Sequence, residues 1–357
     1  MDRRTFIQSL PCLGATTALP AFAFTGGTRP KAILEAAAPP AKSKSLSVPR
    51  VGVIAVGGAG GTILSELYGK LPYLTHSTAI DIDSGALQRV AANRKILIGD
   101  PMARPRDVRT ANLLANEARA QIADAVADLD IAFIVAGMGG IAGTAISPIV
   151  AEILREEQAV TIAAAFAPFN SEGPDRYYIA NAGILALGSI TNAMFEISLE
   201  LLCSCDRQQA LSSSTATTMF ERLYLGVTAP VVEPDSFIIF DIESLRECMS
   251  NEGYAAIGIG SASGRNAAET ATRNAISFRS LNEWNLSCAS RIWVLIEGAP
   301  ELIKLRQVVE ISHLIREFLN VSTAVPDPVY FCGAIRNKAM EDDFRVTILA
   351  SGIPKEY

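Results

Sequence analysis

Two glycine-rich stretches hold the residues best suited to chemistry in this chain. Gly57-Gly58-Ala59-Gly60-Gly61 follows the β-branched run Val51–Val56, and Gly137-Met138-Gly139-Gly140-Ile141-Ala142-Gly143-Thr144 follows the run Ile131–Ala136. Helical spacing resumes after each, with Ile63, Leu64 and Leu67 after the first and Ile146–Leu154 after the second. Backbone N–H groups bared by glycine at the start of a helix bind phosphate, because side chains there would block the anion. One such turn is a weak signal, since glycine also serves helix–strand packing. Two in one domain could aim both helix dipoles at a single polyphosphate. Glu172 and Arg176, four apart behind Pro168-Phe169-Asn170-Ser171, could hold a ribose and a phosphate. An exposed ion pair is the ordinary alternative for them.

Such turns need an open sheet of parallel strands to position them, and strand and helix patterns alternate from Val51 onward. The 357 residues fit two domains with an appendage, and 49% hydrophobic against 19% charged residues excludes global disorder. The formal charge of −6 divides into +1 over residues 1–23, +3 over 24–48 and −10 over the remainder. An acidic body of this kind excludes nucleic acid held by bulk electrostatics. His76 and His313 stand far apart, so no histidine-rich metal site is expected. Cys12, Cys203, Cys205, Cys248, Cys288 and Cys332 contain no CxxC pair and are expected as free, mostly buried thiols.

The first 48 residues stand apart from the fold. Residues 1–23 carry Arg3-Arg4, then Phe6-Ile7, an uncharged stretch from Ser9 to Phe22 and a small-residue end at Ala21-Phe22-Ala23. That is the layout of a secretory leader, and its Arg-Arg-x-Phe-Ile order resembles a twin-arginine leader, with Asp2 and Gln8 as imperfect matches. Pro11 and Pro20 interrupt an apolar run already short of the ~20 residues a spanning helix needs. Residues 24–48 read as a flexible tether. The leader implies export to the periplasm or anchoring at the inner membrane, with membrane contact through this segment alone; an over-extended start or frayed tail is the alternative.

Six stretches in order give the resemblance that organises the rest: VIAVGGAGGTIL, AIDIDSGAL, FIVAGMGGIAGTAISPIVAEI, APFNSEGPDR, GYAAIGIGSASG with AISFRSL, and VTILASGI. Over residues ~50–353 the chain resembles the FtsZ/tubulin superfamily on its FtsZ side. The resemblance implies an α/β fold: a Rossmann-like nucleotide-binding domain over 49–205, a central helix and connection over 206–236, and a smaller α+β domain over 237–357. It implies GTP or GDP as ligand, with Mg²⁺ left open, and a head-to-tail homopolymer as partner. Gly57, Gly58, Gly60 and Gly61 would line the first phosphate loop, and Gly139, Gly140, Gly143 and Thr144 the second. Asp81 would follow the second strand, and Glu172 and Arg176 would reach ribose and phosphate. Asp241, with Glu243 beside it, would complete the active site of the next subunit. The family's cytoplasmic setting conflicts with the leader, since GTP is a cytosolic ligand. The chain stops at Tyr357, without the long tail through which typical relatives recruit membrane-tethering partners.

Departures bear on activity. The second loop has Ile141 and Ala142 where the family has glycine and threonine, and the third, Asp100-Pro101-Met102-Ala103-Arg104-Pro105-Arg106, has no glycine. Two prolines there remove backbone donors, and Arg104 or Arg106 could substitute as charged contacts. Glu196-Ile197-Ser198-Leu199 replaces a base-reading asparagine, and spacing puts Thr218 or Met219 where the central helix presents an aspartate. The catalytic Asn-x-Asp-x-x-Asp becomes Ile239-Phe240-Asp241-Ile242-Glu243-Ser244. Slow or lost hydrolysis is the expectation. The runner-up is an exported dinucleotide oxidoreductase, for which Asp81, 20 residues after Gly61, suits a ribose acid.

Overall fold

The computed structural model describes residues 48–200, 213–233, 236–249, 254–278, 281, 284, 286–318 and 328–354. The leader, nearly all of the tether, Cys203 and Cys205 lie outside them. No helix among the described residues is long and apolar enough to cross a membrane.

The first half is a six-stranded parallel sheet. Strands β1 (Val51–Val56), β2 (Leu74–Asp81), β3 (Arg94–Leu97), β4 (Ile131–Gly137), β5 (Val160–Ala167) and β6 (Ala193–Ser198) lie in the order β3-β2-β1-β4-β5-β6. This is the doubly wound order, with its switch point between β1 and β4. Helices cover both faces, so the central strands are buried along nearly their whole length and do not alternate, Thr161 of β5 being their one polar residue. Along β1, Val51, Val53 and Ala55 face one core and Ile54 and Val56 the other.

The first core is capped by α1 (Gly57–Leu67) and the long helix α7 (Ser213–Val232). The second lies under α3 (Val108–Glu117), α4 (Arg119–Val126), α5 (Ile141–Glu156) and α6 (Pro174–Gly188), while α2 (Ser84–Arg89) links β2 to β3. Helix α7 is fastened to the first half by Thr217 Oγ1 donating to Glu66 at 2.5 Å and Tyr224 Oη donating to the Pro72 carbonyl at 2.7 Å.

Beyond α7 come β7 (Ser236–Ile238), α8 (Ile242–Cys248), β8 (Tyr254–Ser263), α9 (Ala267–Ile276), β9 (Arg291–Gly298), α10 (Leu305–Phe318), β10 (Val329–Arg336) and β11 (Asp343–Ile353). The sheet continues from β6 as β8-β11-β9-β10-β7, and among the described residues β6 joins β8 through Met194–Tyr254 and Phe195–Ala255. A third core lies between this mixed sheet and α9 and α10. Trp293 is fully buried, whereas Trp284 is half-buried and stacks on Tyr254 at the junction, with ring centroids 5.2 Å apart.

Two local expectations change. Both helices begin earlier than their apolar spacing suggests: α1 takes in the whole first glycine turn from Gly57, and α5 begins at Ile141, leaving Met138-Gly139-Gly140 as a turn. Tertiary packing against β4 outweighs the poor helix propensity of glycine. The acidic run Glu341-Asp342-Asp343, which in the sequence reads as a hairpin turn before the final strand, does not turn one, because β9 lies between β10 and β11. It is exposed, and Asp343 opens β11 and accepts from Ser263 Oγ at 2.6 Å. Cys248 is a buried free thiol, and Cys288 and Cys332 are part-buried and unbridged.

Candidate nucleotide site

The two glycine turns meet. A Cβ built on Gly57, whose φ is +73°, would lie 3.1 Å from the Gly143 nitrogen and 3.3 Å from the Ala142 methyl. Both helices are pressed onto β4: a Cβ on Gly60 would lie 2.2 Å from the Val135 carbonyl oxygen, and one on Gly143 2.2 Å from that of Gly137. A Cβ on Gly61 would strike Val90 at 2.6 Å. By contrast, a Cβ on Gly58 or Gly140 would meet nothing within 4 Å, so the outward side of each turn is open. The glycines therefore divide into a packing set (Gly60, Gly61, Gly143), a junction residue (Gly57), and two (Gly58, Gly140) that bare the backbone.

Side-chain capping varies along the chain: α1, α4, α5, α6 and α9 have none, and of these α1, α4 and α5 also lack a first-turn acid. Asp83, Asp107 and Asp241 cap α2, α3 and α8 by accepting from the amides of Ala86, Thr110 and Ser244. Neither α1 nor α5 has a side-chain cap or an acidic residue in its first turn. Uncapped N-termini that converge are a phosphate-sized region of positive potential.

Thr144 is buried, and its Oγ1 accepts from the Gly139 amide at 3.0 Å. Its hydroxyl thus braces the turn, where Gly139 has φ +86°. Gly183 on α6 makes room for it, since a Cβ there would sit 2.6 Å from Thr144 Cγ2. Sequence reasoning missed Gly183, because nothing local says which helix faces Thr144. Arg176 packs against the same turn, its Cγ 2.8 Å from where a Gly139 Cβ would be, and pairs with Glu172 at 3.0 Å. Glu172 also accepts from the Phe169 amide at 2.8 Å. The pair thus forms the ion pair that is its ordinary alternative, and it lies beside the second turn.

Asp81 ends β2 and is buried, its Oδ1 accepting from the amides of Ile82 at 2.7 Å and Asp83 at 3.2 Å. Burial pushes its carboxyl above the ordinary carboxylate range, against the pull of those amides. Asp83 moves the other way, held low first by the Ala86 amide. Asp81 Oδ1 and both oxygens of Asp83 are thus engaged by N–H groups and Arg104. An acid raised in the fold opposes folding above its titration and ceases to do so below it. Asp81→Asn keeps the Oδ1 acceptor and removes the charge. It is expected to raise Tm by a few degrees at neutral pH, and thermal melts across pH should show the gap closing as acidification protonates Asp81.

Of the positions set against the base, Met219 is buried in the core and Thr218 is exposed. Glu196 and Ile197 lie inside β6, which runs on to Ser198.

Asp241 and Glu243 are not at the glycine turns. Arg246 of α8 donates to the Gln158 carbonyl at 3.0 Å, and Gln158 lies between α5 and the start of β5, at the amino edge of the parallel strands. The turns lie at the carboxyl edge, the seven residues of β4 away, which at ~3.3 Å per residue is about 20 Å. Asp241 Oδ1 accepts from the Ser244 amide at 2.8 Å, and Glu243 stands 3.6 Å from Arg246. Both acids are exposed.

A doubly wound sheet with paired glycine turns, a long helix and a second mixed sheet defines the tubulin/FtsZ class of nucleotide-binding fold. The profile described as "Tubulin/FtsZ family, GTPase domain" matches residues 50–203, and "FtsZ family, C-terminal domain" matches 253–354. The cell division protein FtsZ of Buchnera aphidicola (subsp. Schizaphis graminum) is 31% identical over 314 residues, covering 85% of this chain and 79% of that one. A solved M. jannaschii FtsZ dimer, described as empty, superposes with TM-score 0.77 and 26% identity, over 86% of this chain and 89% of that one. CetZ2 of Haloferax volcanii, solved as a GTPγS-bound protofilament, shares the fold at TM-score 0.72 and 18% identity, over 86% and 94%. The chain belongs to the FtsZ family, the cell-division branch of these GTPases.

Proposed function

We propose that this chain binds guanine nucleotide where the two glycine turns meet and assembles head to tail, with hydrolysis slow or lost. The observation that carries the reading is the approach of Gly57 to Gly143, which brings two uncapped helix N-termini to one point. Gly58 and Gly140 offer bare backbone to phosphate, Arg176 offers a half-exposed guanidinium, and Thr144 keeps the second turn in shape. Asp241 and Glu243, some 20 Å away at the opposite edge, can serve this site only from a second copy stacked on the first. The protofilament form of the Haloferax relative supports such stacking.

Weak turnover follows from the acids' surroundings. Asp241 is occupied as a helix cap, and Glu243 faces Arg246, so neither is poised as a base for water. With Thr218 or Met219 in place of the family's acid, the site loses its strongest means of discriminating the guanine ring.

Titration calorimetry of the full chain with GTP, GDP, ATP and NAD, followed by sedimentation, tests the reading. Guanine nucleotide binding with pelleting supports it; NAD binding alone would transfer the case to a dinucleotide enzyme. For the hydrolysis half, Asp241→Asn and Asp241→Ala are informative together. Asparagine retains the cap, whereas alanine loses it at a cost of about 1 kcal/mol. Melting should fall in the alanine variant only, with GTP turnover near background in all three proteins. A protein-dependent turnover abolished by Asp241→Asn sinks the slow-hydrolysis half.

A further inference from the structure

Helix α7 carries a positive charge that the chain leaves unanswered. Gly226 lies over β11, where a Cβ on it would stand 3.0 Å from Thr347 Cγ2. Arg222 is one turn earlier on α7, and Arg345 is two residues earlier on β11, on the same face as Thr347. Four residues of helix span about 6 Å and two of strand about 6.7 Å, so Arg222 comes to stand over Arg345. Glu297, directly opposite Arg345 on β9, pairs with it at 3.5 Å, and both side chains are largely buried.

These three groups do not balance. The Arg345–Glu297 pair uses the one carboxylate, and Arg222, half-buried, takes part in no hydrogen bond or ion pair among the described residues. Burial first and Arg345 second press its guanidinium below the ordinary range, while Glu297 and then Glu221 oppose them. Glu233, just beyond α7, accepts from Tyr73 Oη. Taking a cation out of water without a partner opposes folding, and two guanidiniums side by side make a fork for an acid's oxygens. The deficit is one negative charge. A singly charged head meets it, whereas a phosphate dianion overshoots with Glu297 alongside. Beside the arginines the wall is apolar: Leu295 shares the face of Glu297, and Tyr73 packs there with Ala229 and Ile335.

We propose that the cleft between α7 and the β9–β11 face binds a small organic acid, its carboxylate on Arg222 and Arg345 and its apolar body toward Tyr73. The site lies over the second sheet, away from the glycine turns, and stands whether or not those turns hold nucleotide.

Thermal melts of the full chain in butyrate, phosphate and chloride at equal ionic strength test it, beside Arg222→Met, Arg222→Lys and Glu297→Gln. The parent should melt about 2 °C or more higher in about 100 mM butyrate than in chloride. Arg222→Met keeps an apolar stem and discards the unpaired charge, so it should lose that increment and melt no lower than the parent in chloride. Lysine should keep part of the increment, and Glu297→Gln, which frees Arg345, should enlarge it. An increment as large in Arg222→Met as in the parent, or none in the parent, overturns the site. Melting of Arg222→Met well below the parent in chloride overturns it too, since Arg222 would then already have its partner within the chain. An Arg222-dependent increment larger in phosphate than in butyrate overturns the carboxylate assignment.

Discussion

Gly143→Ala should destabilise the fold by about 2 kcal/mol or more and remove nucleotide binding with it. The added methyl would stand 2.2 Å from the Gly137 carbonyl oxygen and 3.2 Å from its carbon, and a strand backbone cannot step aside as a side chain can. Helix α5 must lift from β4, and the junction with Gly57 opens as it does. Gly60→Ala should act alike through α1 and the Val135 carbonyl. Gly140→Ala is the counterpart: its φ is −90°, and its methyl would enter open space, so melting should hold while affinity falls, because the methyl covers the phosphate face. Thermal melts beside nucleotide titrations separate the two kinds of glycine. Equal melting losses at Gly140 and Gly143 would mean that the packing assignment is wrong.

This division was invisible in the sequence, where the glycines read as one class. The strand runs Val51–Val56 and Ile131–Ala136 and the helices behind them were legible because parallel strands buried on both faces are written as uninterrupted runs without polar residues, rich in β-branched side chains. What local signals lack is the partner. Nothing near Thr144 says that its hydroxyl will be committed to Gly139 or that Gly183 will stand opposite, and nothing near Glu341 says that β9 will separate β10 from β11. The same limit applies to Asp241. Its residue type suited either an active-site acid or a helix cap, and only the contact of Arg246 with Gln158 puts it at the far edge of the sheet. Arg104 could be named from the loss of glycine in its loop, but the carboxylate that holds it required three dimensions.

The two halves are joined by an unusual substitution of one hydrogen-bond donor for another, and breaking it should give the largest loss on the C-terminal side. Pro230 lies inside α7 and has no N–H, so the carbonyl four residues back, that of Gly226, is denied its helical donor. Trp293 of β9 supplies one, its indole Nε1 donating to that carbonyl at 2.9 Å. The ring is fully buried, 4.6 Å from Phe240 and 5.8 Å from Phe331 between centroids. Gly226 permits the approach, since a Cβ there would already lie 3.0 Å from Thr347 Cγ2. Trp293→Ala should therefore destabilise by about 3–5 kcal/mol. Trp293→Phe keeps an aromatic ring and orphans the carbonyl, with a hydrogen-bond share of about 1–3 kcal/mol beyond the packing change. Pro230→Ala restores the missing N–H, so the phenylalanine variant should be less damaging in that background than in the parent. Urea denaturation of the four proteins closes the double-mutant cycle. A coupling near zero would mean that the indole contributes by its bulk alone, and that α7 is held to the second sheet by packing instead of by the carbonyl that proline left open.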